Sequence, residues 1–218
     1  MKIELSRLAK GSAIYGIGTV LQRFLALLLL PFFTSVVSTE EYGIVALVSL
    51  VSIALYGLFS LGTGNSLGIL YFRENDFIKR SEIIWSNFFL LLLNCSFFYC
   101  VIFFLSEKIS LLVFGTEQYS NLIKISVLGA VLNTVLDPFL AYLRMEEQAQ
   151  KYVKITLITT LSTVMISIWL VLFEQLGALG IIASATLANA LTFWICVFFI
   201  GKSLEFKVNP KLFFPLAR

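Results

Sequence analysis

Six long apolar stretches dominate the chain, at residues 11–37, 42–72, 83–105, 121–143, 153–173 and 180–200. About 20 apolar residues in a helix cross a hydrocarbon core of roughly 30 Å, so each stretch is long enough to span a bilayer. In lipid a segment must satisfy its own backbone hydrogen bonds, and for uninterrupted runs of this length the solution is an α-helix. Composition agrees: 59% of the 218 residues are hydrophobic and 13% are charged, against about 25% charged in soluble domains. That excludes a water-soluble globule, a disulfide-rich scaffold, a disordered tail and a nucleic-acid binder, so no nucleic-acid partner is expected. The expected fold is all-α, a polytopic membrane bundle of six transmembrane helices.

The charges outside the stretches are sorted by side. Thirteen basic residues fall before the first stretch, in the second and fourth connections and in the tail, counting Lys154 at the edge of the fifth stretch, among them Lys2, Arg73, Arg80, Arg144, Lys151 and Lys207. The opposite connections hold Glu40, Glu41 and Glu174, with Lys108 and the boundary residue Lys124 as their basic residues. This asymmetry predicts cytoplasmic N- and C-termini. Residues 1–10 carry Ile3, Leu5 and Leu8 among basic residues and are expected either as an amphipathic leader on the inner surface or as a solvated one. The stretch 11–200 is expected to form the bundle and 201–218 a cytoplasmic linker. The first two stretches exceed the bilayer thickness, which predicts tilt or a bend at Pro31. Glycines 57, 62, 64 and 68 are expected to bend or loosen the far end of the second.

Polar residues recur inside the stretches at helical spacing. The first carries Ser12, Tyr15, Thr19, Gln22 and Arg23, and the second Ser49, Ser52, Tyr56, Ser60 and Thr63. The fourth has Ser126, Asn133 and Asp137, the fifth Thr156, Thr159, Thr160, Thr163 and Ser167, and the sixth Ala185, Asn189 and Thr192. The third is Phe- and Leu-rich with Asn87 and Asn94 as exceptions. Two explanations stand: close packing and backbone bonding of membrane helices, or the lining of a hydrated cavity. On the second, the third helix lies outermost, and the first, second, fourth and fifth surround an interior.

Arg23 sits at the centre of its stretch, where insertion costs about 2.5–3.5 kcal/mol. Either it forms a structural ion pair with Asp137, the one carboxylate inside the stretches, or it lines a cavity that admits an anionic substrate; Asp137 alternatively titrates as an ion-coupling carboxylate. Gln22, Thr19 and Asn133 are the further cavity candidates. No catalytic residue is expected. There is no histidine, no phosphate-binding glycine loop and no metal-spaced cysteine pair, and Cys95, Cys100 and Cys196 read as small hydrophobes. No metal or cofactor is expected, and the protein is not expected to be an enzyme.

The run from Gly11 to Arg23, then Pro31-Phe-Phe-Thr, Glu40-Glu-Tyr-Gly43, Leu61-Gly-Thr-Gly-Asn-Ser-Leu-Gly68, Tyr71-Phe-Arg73, Tyr142–Tyr152 and Leu176-Gly-Ala-Leu-Gly180 resemble the polysaccharide-biosynthesis flippases. These are the O-antigen and capsule transporters of the multidrug/oligosaccharidyl-lipid/polysaccharide exporter superfamily. The resemblance implies a two-lobe transporter working by alternating access, of which this chain supplies one six-helix lobe; truncation before a C-terminal lobe, or self-association with a second copy, would follow. It implies a lipid-linked oligosaccharide as substrate, carried outward on undecaprenyl pyrophosphate through a bacterial inner membrane. It further implies membrane lipids, glycosyltransferases and a glycan polymerase as partners. By the same resemblance Arg23 matches a basic cavity position, and Arg73 is either a headgroup contact or a positive-inside anchor. The alternatives are a cation-coupled multidrug exporter of the same superfamily and, more remotely, a membrane-embedded glycan polymerase.

Overall fold

The computed structural model describes the backbone of residues 2–217 and the side chains of residues 13–217 apart from 26, 28, 29, 32 and 34. The expected leader, 1–10, and Arg218 therefore lie outside the described side chains. Helix α1 runs over Lys2–Val36, with Pro31 inside it. Ser38 then caps α2, Thr39–Ser60, through a reciprocal capping box with Glu41, which satisfies two of the donors that a helix start leaves open. A break at Leu61 and Gly62, both with positive φ, separates α2 from α3, Thr63–Arg73. The long α4, Phe77–Phe114, begins on the Asp76 cap and ends on the left-handed Gly115. Next come α5, Ser120–Met145, and α6, Ala149–Ile168, whose last turn widens to a π-helix over Trp169–Phe173. Helix α7, Gly177–Ile195, ends likewise in a π turn, Cys196–Ile200. The tail carries the one-turn α8, Phe213–Leu216.

Among the described residues five helical segments are long and apolar enough to cross a membrane: Thr39–Arg73, Phe77–Phe114, Ser120–Met145, Ala149–Phe173 and Gly177–Ser203. They coincide with the second to sixth apolar stretches. The first stretch lies within α1, which is helical but is not one of the five. The chain is therefore all-helical and multi-pass, with five such segments among the described residues; the remaining expected span falls in α1, part of whose side chains lie outside the described residues.

Helix α5 is the hub. More than half of its apolar window is buried, the largest share of the five, and it packs against α4, α7 and α2. Phe139 of α5 meets Trp85 and Phe88 of α4 at ring distances of 5.4 and 5.1 Å. Gly129 lets α7 approach so closely that a Cβ there would lie 2.6 Å from Thr186 Oγ1. Helix α1 packs on α6, with Gly18 against Val153 and the Tyr15 ring 5.3 Å from Tyr152.

Two expectations about helix placement change. The third span, α4, is outermost only in part: Ser81–Phe88, Leu91, Cys95 and Ile102 are buried, with Trp85 and Phe88 against Phe139 of α5, while Leu93, Phe97, Phe103 and Phe104 are exposed. The least buried of the five segments is Ala149–Phe173, whose threonines were expected to face an interior. Thr160 and Thr163 instead donate to carbonyls one turn back on their own helix, a local bond that satisfies a hydroxyl in an apolar medium, while the Thr159 hydroxyl meets Thr192 Oγ1 of α7 at 2.7 Å.

Candidate functional site

A groove of about 270 Å³ opens between α2, α5 and α7. Its polar lining comes from Ser49 and Ser52 of α2, Ser126 and Asn133 of α5, and Thr186 and Asn189 of α7. Its walls are apolar, formed by Val45, Ile53, Ala130, Ile181, Ile182 and Ala185, and among the described residues no charged one lines it. Small residues make the groove: Gly129, Ala130 and Ala185 leave space where larger side chains would close the three helices together.

Most of the lining hydroxyls are occupied. Ser52 and Ser126 share a 2.8 Å hydrogen bond between α2 and α5. Thr186 donates to the Ile125 carbonyl at 2.9 Å, and Asn189 Nδ2 donates to the Gly129 carbonyl at 3.1 Å, tying α7 to α5. Ser49 donates to Val45 on its own helix. Asn133 is exposed in the groove, and Asn189 Oδ1 is not spent by the Gly129 bond. The site thus offers amide groups among apolar walls, the pattern of a small-molecule site that orients uncharged polar groups.

One turn from Asn133 along α5, Asp137 accepts a 2.9 Å hydrogen bond from the Tyr56 hydroxyl of α2. No ion pair joins Asp137 to Arg23 among the described residues; Tyr56 is the partner the structure gives it. Arg23 and Thr19 are exposed on α1 and Gln22 is half-buried, and Thr19 donates to the Tyr15 carbonyl at 2.9 Å. Arg73 is exposed at the end of α3. The structure thus sets Asn133 and Asp137 close together on α5, and keeps Thr19, Gln22 and Arg23 on a helix that does not line this groove. Thr186 is a lining residue that the polar stripe of the sixth stretch did not include, so α7 supplies two polar lining residues, as α2 and α5 do. The signal lay in Ala185 and Asn189, four apart on one face.

The basic end of the bundle carries a second polar cluster. The Tyr71 hydroxyl of α3 donates to Glu146 Oε1 at 2.8 Å, Arg80 Nη1 lies 3.5 Å from the same oxygen, and the Arg80 guanidinium sits 4.9 Å over the Tyr71 ring. Beside it the tail is strapped to α4. Lys207 Nζ is 3.1 Å from Glu82 Oε2, Asn209 Nδ2 donates to Glu82 Oε1 at 2.7 Å, and the Asn209 amide donates to Ser86 Oγ at 2.9 Å. The segment expected as a linker is docked here. Among the described residues no group of three or more His, Cys, Asp or Glu is placed to hold a metal.

The model of the family described as "Polysaccharide biosynthesis protein" matches residues 8–218. The chain belongs to the polysaccharide biosynthesis protein family. No curated protein matches it significantly. A solved structure called "protein A" has the same fold, with a TM-score of 0.72 at 15% sequence identity; the match covers 97% of this chain and 51% of that one. This member of the polysaccharide biosynthesis family therefore spans about half the length of that structure.

Proposed function

We propose that the protein is a transporter, not an enzyme: a flippase, or one lobe of one, that moves a lipid-linked oligosaccharide across a cell membrane by alternating access. The observation that carries this is the family match, which runs over nearly the whole of a chain built from membrane-length helices. A protein of polysaccharide biosynthesis made almost wholly of spans is suited to moving a glycan between the two sides of the membrane. On this reading α1 is a sixth span, the basic end faces the cytoplasm by the positive-inside rule, and the chain is half of a two-lobe assembly, in keeping with its 51% coverage of the similar structure. The second half is a C-terminal lobe or a second copy.

The division of labour follows from charge. The groove between α2, α5 and α7 is uncharged and suits sugar hydroxyls, with Asn133 as their hydrogen-bonding partner. The anionic pyrophosphate of an undecaprenyl carrier needs a cation, and Arg23 supplies a guanidinium whose planar fork matches phosphate oxygens, with Gln22 and Thr19 beside it. Arg73 is a further headgroup contact at the basic end. Glycosyltransferases and a polymerase act before and after transport, and the lipid tail stays in the bilayer. A cation-coupled exporter of the same superfamily is the alternative that Asp137 favours. Arg23→Ala should abolish glycan export in cells that depend on the protein, and Arg23→Lys should retain part of it. Full export by Arg23→Ala at normal protein levels would overturn this role.

A further inference from the structure

The second membrane segment is broken inside an uncharged run. Leu61 and Gly62 take φ of 49° and 66°, and two consecutive left-handed residues end α2 and restart the chain as α3. A break in lipid frees backbone carbonyls that must find partners. Asn94, in the middle of α4, supplies them: its Nδ2 donates to the carbonyls of Leu58 at 2.8 Å and of Phe59 at 3.0 Å. Cys95 Sγ lies 3.7 Å from the same Phe59 carbonyl. The last turn of α2 is thus finished by α4, so that α3 is not needed to finish it.

The other end of α3 is held differently. Tyr71 is fastened to Glu146, which Arg80 also engages, and α8 lies against α3 and α4. Between the two ends one face of α3 is packed, with Thr63 and Leu67 buried, and the glycine face is bare among the described residues. A Cβ built at Gly64 or Gly68 would meet nothing within 4 Å, and the same holds for Gly57 just above the break.

We propose that α3 is a pivoting flap. It swings about the Leu61–Gly62 break toward its glycine side, Asn94 is the positioning residue that keeps α2 intact during the swing, and the Tyr71–Glu146–Arg80 clasp together with the buried Leu67 holds the flap shut. Eleven residues make a lever of about 16 Å, so a swing of about 20° carries Phe72 roughly 5 Å. The inference concerns the mechanics of the bundle and stands whether or not the cargo is a lipid-linked glycan.

The test is a pair of spin-label distances measured on the protein in lipid nanodiscs, in a Cys100→Ser background. One pair joins Phe72 of α3 to Lys151 at the start of α6, and the control pair joins Leu50 of α2 to Lys151. Tyr71→Phe and Glu146→Gln should each shift or broaden the 72–151 distance by about 5 Å and leave the 50–151 distance unchanged. Asn94→Asp, which keeps the size and loses the donors, should raise amide exchange at residues 58–64 while α4 on either side stays protected. The proposal is overturned if both distances move together, if neither moves when the clasp is opened, or if Asn94→Asp raises exchange evenly along α2 and α4.

Discussion

Gly129→Ala tests the close approach on which the groove depends. Gly129 is buried at the α5–α7 contact, where an added Cβ would stand 2.6 Å from Thr186 Oγ1 and 3.3 Å from Thr186 Cα. The hydroxyl cannot simply rotate away, because its one hydrogen is shared between the Ile125 and Ile182 carbonyls. Helix α7 must move outward, which strains a packed contact by about 1–3 kcal/mol. The Thr186–Ile125 and Asn189–Gly129 bonds loosen with it, and interhelical bonds in membranes are worth about 0.6 kcal/mol each. Against this, alanine is the better helix former by about 1 kcal/mol. The control is Gly43→Ala on α2, where a Cβ meets nothing within 4 Å and only the helix-propensity gain remains. The two variants should differ in unfolding free energy by about 2–4 kcal/mol, with Gly129→Ala the less stable, as read from denaturant titration in lipid micelles. Equal stability of the two would refute the geometry of the α5–α7 contact.

Glu82→Ala removes the carboxylate that holds Lys207 and Asn209. Trypsin should then cut after Lys207 much faster than in the parent, while Glu82→Gln, which keeps an acceptor for Asn209, falls between them; equal cleavage rates would contradict the strap. Asn133→Asp places a carboxylate in the uncharged groove one turn from Asp137, at an insertion cost of about 2.5–3.5 kcal/mol. Export of an anionic lipid-linked glycan should fall sharply in that variant, measured in cells at matched expression, and unchanged export would remove the groove from the pathway.

The spans and their alternation were legible because a run of apolar residues in lipid admits few structures. The apolar stretches at 42–72, 83–105, 121–143, 153–173 and 180–200 all fall inside helices of membrane length. The break in the second span was foreshadowed by Gly57, Gly62, Gly64 and Gly68, whereas the Asn94 bonds to the Leu58 and Phe59 carbonyls beside it come from another helix. The placement of the helices was less legible. A Ser or Thr in a span has the same spacing whether it lines a cavity, ties two helices or bonds its own backbone. Ser52, Thr159 and Thr186 tie helices, whereas Thr160 bonds its own. Aromatic content misled the assignment of α4, since Phe and Leu suit a lipid-facing surface and a packed hub equally. Tyr56 was visible as one step of a polar stripe, but its bond to Asp137 depends on residues 81 apart in sequence meeting across two helices.

The most direct test of the central claim is translocation itself. The purified protein is reconstituted in liposomes that contain an undecaprenyl-pyrophosphate-linked oligosaccharide, and the glycan reaching the opposite leaflet is followed by its accessibility to a lectin. Transfer that depends on the protein and is lost in Arg23→Ala is the predicted result. Glycan that stays in its original leaflet with the wild-type protein, supplied as this chain and together with any second lobe, would contradict the account.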